Sequence, residues 1–255
     1  MSLNKPGRSP ATDTIRTTRE TQLAPQSPQR SLWAQLSPGW PTQPDSQPDE
    51  KAWEGRELQE ISFDSDTNKT GQFNAVDFYG DGSLYFLDAP GHAIAHICAL
   101  ARTSADPSEF ILTGGDIAHH GGEFRPTQYL PLPEDIKPSP PARPFERPDT
   151  QCPGAMFQEI HPKKSATKPY MQATSFIHDD AAGACKSVEG VLDFDAQDNI
   201  FTVVAHDNSL ADVVDFYPKP ANEWRKLGWK EHSRWRFLRT FDTGNGYAND
   251  ESARA

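Results

Sequence analysis

Apolar positions are distributed very unevenly along this chain. Residues 1–32 are Pro, Ser, Thr, Gln and Arg with almost no apolar content, and Pro6, Pro10, Pro25 and Pro28 punctuate them. Such a stretch cannot bury enough surface to offset its ordering entropy, and it is expected to be a disordered tail. From Trp33 onward, strand signals come in quick succession. Ile61 to Phe63 is short, and Gln72 to Tyr79 alternates up to the turn Gly80-Asp-Gly82. Leu84 to Asp88, Ala93 to Ala101 and Phe110 to Thr113 are compact apolar runs bounded by Gly, Pro and Asp. Runs of this kind predict strands buried on both faces of a sheet core. Residues 131–153 are proline-rich and are expected to form an extended surface excursion. Helical spacing resumes after His178, where Ala182, Cys185, Val188, Val191 and Leu192 can share one face. Ile200 to Ala205 predicts a buried strand, and Leu210 to Phe216 a short helix stopped by Pro218. Strands lead and helices follow, which is the order of an α/β or α+β domain. The ordered domain is expected over 33–242, with a second disordered tail at 243–255.

Composition narrows the function classes. A formal net charge of −11 argues against a nucleic-acid partner. No apolar run approaches the ~20 residues of a membrane span, so a cytoplasmic chain with no membrane partner is expected. Arg8, Arg16, Arg19 and Arg30 give a faint mitochondrial-targeting signal, but the prolines would interrupt the helix such a peptide needs. Cys98, Cys152 and Cys185 are too widely spaced for a disulfide framework or a Cys-x-x-Cys metal site.

Candidate chemistry lies at the ends of three predicted strands. His92 follows Leu87-Asp-Ala-Pro-Gly, Asp116 follows Leu112-Thr-Gly-Gly, and His206 follows Val203-Val-Ala. A strand end is a rigid platform, and imidazole with carboxylate suits zinc or iron. His96, His119 and His120 are nearby substitutes whose simpler reading is structural. Asp193, Asp195 and Asp198 have a calcium-loop rhythm but lack the glycine and terminal glutamate of an EF-hand, so a solvated turn is expected. Trp224, Trp229 and Trp235 interleave with Arg225, Lys230, Arg234 and Arg236; in so acidic a chain they read as a packing segment with snorkelling cations.

The order Asp88-Ala-Pro-Gly-His92, Gly114-Gly-Asp116 and Ala205-His206-Asp207 resembles the later metal motifs of the metallo-β-lactamase superfamily. The text around Phe78 to Leu87 and Gly115 to Glu123, and the Trp- and Arg-rich ending from Trp229 to Phe241, are similar to its fungal, lactonase-like members. The resemblance covers most of 33–242. It implies an αββα sandwich, incomplete here, and metal-assisted hydrolysis of an ester, lactone or thioester. It also implies that His92 and His206 ligate zinc, one or two ions, and that Asp116 bridges them and orients the attacking water. The family's earlier motif, His-x-His-x-Asp-His, is absent, because residues 1–91 contain no histidine. With two protein ligands per ion instead of three plus water, zinc is expected to bind weakly or not at all. The chain is thus expected to be a truncated, inactive hydrolase. The alternative is a non-catalytic binding protein built on a leftover hydrolase fold.

Overall fold

The computed structural model describes residues 14–19, 55–63, 68–93, 95–141 and 149–241. The chain forms two compact units, Met1–Asp66 and Thr67–Ala255. In the first, β1 (Thr14–Arg19) pairs in parallel with β2 (Glu57–Ser62), and Ile61 and Phe63 are buried. Residues 14–19 thus lie in a strand. The rest of the expected tail at 1–32, the expected start of order at Trp33, and the tail at 243–255 lie outside the described residues.

The second unit is built on β3 (Asn68–Thr70), β4 (Phe73–Asp77), β5 (Leu84–Asp88), β6 (Ile97–Ala105), β7 (Ser108–Thr113) and β10 (Ile200–Val203). Their order in the sheet is β10-β7-β6-β5-β4-β3. Neighbours are antiparallel except β10, which runs parallel to β7. The Asp77 carboxylate accepts from the backbone of Gly80 (3.0 Å) and Gly82 (2.8 Å), closing the turn between β4 and β5.

Period-2 alternation points Phe73, Ala75, Leu87, Cys98, Leu100 and Leu112 to one buried face. Helix α2 (Ala181–Ala196) covers that face with Val188, Val191 and Phe194. Its first turn is capped by Asp180, which accepts from Ala182 (3.1 Å) and Gly183 (3.0 Å). The buried stripe is rotated from the expected one, because the large Phe194 and the small Ala184 turn inward while Ala182 is exposed. Alternation holds for β4, but burial on both faces does not hold for β5 and β6. Val76, Phe86, Ala99 and Ala101 on the opposite face are half-buried, as befits antiparallel strands, whose two faces can differ.

At the β7–β10 end, Trp224 stacks on Phe201 at 5.5 Å and Trp229 packs beside it. The expected helix from Leu210 to Phe216 is absent. A 3-10 turn over Asn208–Leu210, capped by Asp207, runs into non-helical turns instead. The β-branched pair Val213-Val214 and the nearby Pro218 oppose propagation.

The described parts of the proline-rich stretch are docked and do not form a surface excursion. Strand β8 (Asp135–Ile136) pairs with β9 (Cys152–Pro153), leading into α1 (Gly154–Ile160). Leu132, Ile136 and Cys152 join Phe157, Tyr170, Trp235, Phe237 and Leu238 in a satellite core. The apolar residues scattered among the prolines supply burial that proline count alone does not report.

Two expectations of solvated charge are corrected here. Asp195 is buried and takes two hydrogen bonds from Arg125, at 2.7 and 2.6 Å, while Arg125 also donates to the Arg234 carbonyl at 2.8 Å. Burial pushes the Asp195 carboxyl up, but the Arg125 charge and hydrogen bonds outweigh it and hold the group below the usual carboxylate range. Lys230, in α3 (Trp229–Ser233), does not snorkel. Its ammonium is inside, donating to the carbonyls of Ile200 and Gln197, and burial lowers its pKa to about 8. The segment packs Lys230 and Arg236 as well as its tryptophans, because buried carbonyls receive both cations, while Arg225 stays exposed.

Candidate metal centre

Strand directions assemble the site. Strands β5 and β7 both run antiparallel to β6, and β10 runs parallel to β7, so the C-terminal ends of β5, β7 and β10 share one edge of the sheet. The loops that leave those ends carry His92, Asp116 and His206. The Gly114 amide donates to the Val203 carbonyl and the Ala205 amide to the Gly115 carbonyl, each at 2.8 Å, lashing two of the loops together. Gly115 sits at φ +56°, and His206 itself holds φ +62°, a left-handed backbone that L-residues rarely adopt.

The three expected residues meet. The Asp116 carboxylate lies 3.3 Å from His206 Nε2 through Oδ1 and 4.0 Å from His92 Nε2 through Oδ2. His119 joins them, its Nε2 3.6 Å from Asp116 Oδ1 and its ring stacked on His206 at 5.3 Å. One side of the group is open, since the His206 side chain is 68% exposed.

The other two weighed histidines are structural. His96 Nδ1 contacts the Ala89 carbonyl at 3.0 Å, and its Nε2 accepts from the Asp116 amide at 3.1 Å, so both nitrogens are taken. Asp116 is thereby held from behind. His120 accepts from the Gly122 amide at 3.0 Å and reaches Thr240 Oγ1 with its other nitrogen.

Two further residues were not legible as site members. His178 places Nδ1 3.3 Å from His92 Nδ1. It is brought there by backbone bonds from Asp179 to the His92 carbonyl (3.1 Å) and from Asp180 to the Gly91 carbonyl (2.9 Å). That approach requires Gly91: a Cβ on it would lie 2.1 Å from the Ala184 amide nitrogen. Glu123 accepts from the His119 amide at 2.9 Å through Oε1. The only sequence signals for these two were a histidine just before the capping pair Asp179-Asp180 and a glutamate four residues after His119.

Burial lowers the pKa of His119 and of His178, more than Glu123 raises either one. Imidazoles so depressed are neutral at pH 7 and gain little from a nearby carboxylate as an ion pair. They do carry lone pairs. Among the described residues, two groups could hold a cation: His92, Asp116 and His119, and next to it His119, Glu123 and His178, with one possible ligand atom from each residue within 4.8 Å of the others. Imidazole and carboxylate donors converging in this way fit a divalent transition ion.

Among curated proteins, the chain is 50% identical over 209 residues to a protein named gamma-lactamase FDB1 from Fusarium pseudograminearum. The match covers 81% of this chain and 50% of that protein. It is 39% identical over 209 residues to the metallo-hydrolase mfmC of Annulohypoxylon moriforme, covering 80% and 52%. A third relative, gamma-lactamase MBL2 of Gibberella moniliformis, is 50% identical over 160 residues, covering 62% and 65%. The chain therefore spans about half the length of the first two. No family model matches it, and no solved structure does. Among the described residues, no helix is long and apolar enough to cross a membrane. Identity of this depth over four fifths of the chain, to proteins named gamma-lactamase and metallo-hydrolase, supports a fungal metallo-β-lactamase-like family member.

Proposed function

We propose that this chain carries the later part of a metal-dependent hydrolase centre, in which His92, Asp116 and His206 hold one or two divalent ions, zinc foremost. The observation that carries this reading is the convergence of His92 and His206 on the two oxygens of one carboxylate. Asp116 faces a different imidazole with each oxygen, which suits a bridging role. His96 Nε2, accepting from the Asp116 backbone amide, holds the loop that carries that carboxylate. A bound ion would supply Lewis acidity toward a carbonyl and a lowered pKa for water. The exposed side of His206 leaves room for a small substrate to approach the group. A carbonyl compound of ester, lactone or lactam type is the substrate class, the lactam following from the names of the two gamma-lactamase relatives.

His-x-His-x-Asp-His does not occur in these 255 residues, so the chain by itself is inferred to bind zinc weakly at most and to hydrolyse at background. The test is zinc affinity by chelator competition, with lactone, ester and γ-lactam hydrolysis measured on the same preparation. Zinc binding that is lost in Asp116→Asn and His206→Ala supports the metal centre. Binding indifferent to both substitutions overturns it. Zinc-dependent hydrolysis by the chain alone would overturn the inference of inactivity.

A further inference from the structure

Three side-chain atoms beside the metal centre are buried without any hydrogen-bond partner: His119 Nδ1, Glu123 Oε2 and His178 Nε2. Glu123 and His178 are 8% and 5% exposed, so water does not readily answer them. The three residues lie within reach of one another, each offering an atom within 4.8 Å of the others'. A neutral imidazole has one donor nitrogen and one acceptor, whereas a carboxylate only accepts. The structure shows no hydrogen bond among these three atoms; without an ion, a small closure that lets Glu123 Oε2, with its two lone pairs, accept from His178 Nε2–H and from His119 Nδ1–H satisfies all three together.

That arrangement fixes the tautomers further out. If His178 donates through Nε2, its Nδ1 is an acceptor, and the 3.3 Å contact requires His92 to donate through Nδ1. The Nε2 of His92 is then a lone pair, and it is the atom that faces Asp116. By the same logic the Nε2 of His119, 3.6 Å from Asp116, is also a lone pair.

We propose that Glu123 is a positioning residue which, directly through His119 and through His178 to His92, turns both Nε2 lone pairs toward Asp116. This makes His119 a third donor, alongside His92 and Asp116, for a single ion. Three protein donors are what a catalytic zinc site provides, and ligating histidines elsewhere are held by such supporting hydrogen bonds. The inference rests on the reading of the metal centre given above.

The test uses the full chain with ¹⁵N-labelled histidine. Long-range proton–nitrogen correlation on the metal-free protein should show His92 and His119 protonated at Nδ1 and His178 at Nε2. In Glu123→Gln, which keeps the shape but cannot accept from both imidazoles without turning its amide group away, at least one of these tautomers should change. Zinc affinity should fall about 10–100-fold, as is typical for supporting residues, and Glu123→Asp should recover part of it. Wild-type His92 or His119 protonated at Nε2 would overturn the proposal. So would unchanged tautomers and affinity in Glu123→Gln, or zinc that shifts His178 Nε2 while leaving His92 Nε2 untouched, since the ion would then sit on Glu123 itself. If the Gln variant does not fold, the wild-type tautomers decide. If zinc binds neither protein, the metal centre fails while the tautomers still judge the role of Glu123.

Discussion

Two groups of polar side chains sit inside the Thr67–Ala255 unit, one around Arg125 and one around Asp116. In the first, Asp195 takes two guanidinium hydrogen bonds, Arg125 spends its remaining nitrogen on a carbonyl, and the Lys230 ammonium lies on two carbonyls. In the second, imidazoles face a carboxylate across 3.3–4.0 Å, and three buried atoms next to them make no hydrogen bond. A buried polar atom without a partner is costly in either place. The satisfied group is thus read as structure, joining α2 to the C-terminal segment. The second is read as the proposed metal centre, with imidazoles facing Asp116 and the buried atoms behind them left to pair through Glu123.

The largest effect should come from breaking the satisfied group. Asp195→Ala leaves the Arg125 charge buried and unpaired, a lesion of about 3–5 kcal/mol, measured as loss of stability in urea unfolding. A loss below about 1 kcal/mol would erase the contrast. Next comes Asp116→Asn, which should weaken zinc binding by more than about 100-fold, beyond the range of supporting residues. It should move the urea midpoint of the metal-free protein little, because the carboxylate is partly exposed.

Acid should separate the two groups. His96, His119 and His178 have folded pKa values below the unfolded ~6.5, so the folded state binds fewer protons. Their stability contribution is whole above about pH 6.5 and declines as pH falls toward the folded values. Asp195, also depressed, contributes above its unfolded ~3.9 and loses that contribution only as pH falls through its lower folded pKa. Stability against pH in metal-free protein should therefore fall in two limbs, with Asp195→Asn flattening only the lower one. A single limb near pH 4 would show that the imidazoles are not held neutral. The smallest effect is a control. His120→Ala removes the hydrogen bonds to Gly122 and Thr240, costs about 0.5–1.5 kcal/mol, and leaves zinc affinity unchanged, whereas His119→Ala lowers it.

Legibility in the sequence followed the range of the interactions. Leu84 to Asp88 and Phe110 to Thr113 were readable because alternation and bounding Gly, Pro and Asp are local. So were His92, Asp116 and His206, each one loop beyond a strand end. The Leu210–Phe216 helix was misread because a short apolar run has no decisive period. The docked stretch around Ile136 was misread because its partners, Tyr170 and Phe237, are far along the chain.

By itself the sequence determined β4, β5, β6, β7 and β10, the turn at Gly80-Asp-Gly82, the helix over α2 and the three strand ends that carry metal-type side chains. These follow from dihedral preference and periodicity within a few residues. Only the tertiary structure decided which histidines face Asp116. His96 and His120 are consumed by backbone amides, a carbonyl and a hydroxyl, whereas His119 stays turned toward Asp116. His178 and Glu123 enter because backbone bonds and a glycine contact bring distant loops together. An imidazole's role depends on what each nitrogen meets, and that is settled only when the chain has closed around it.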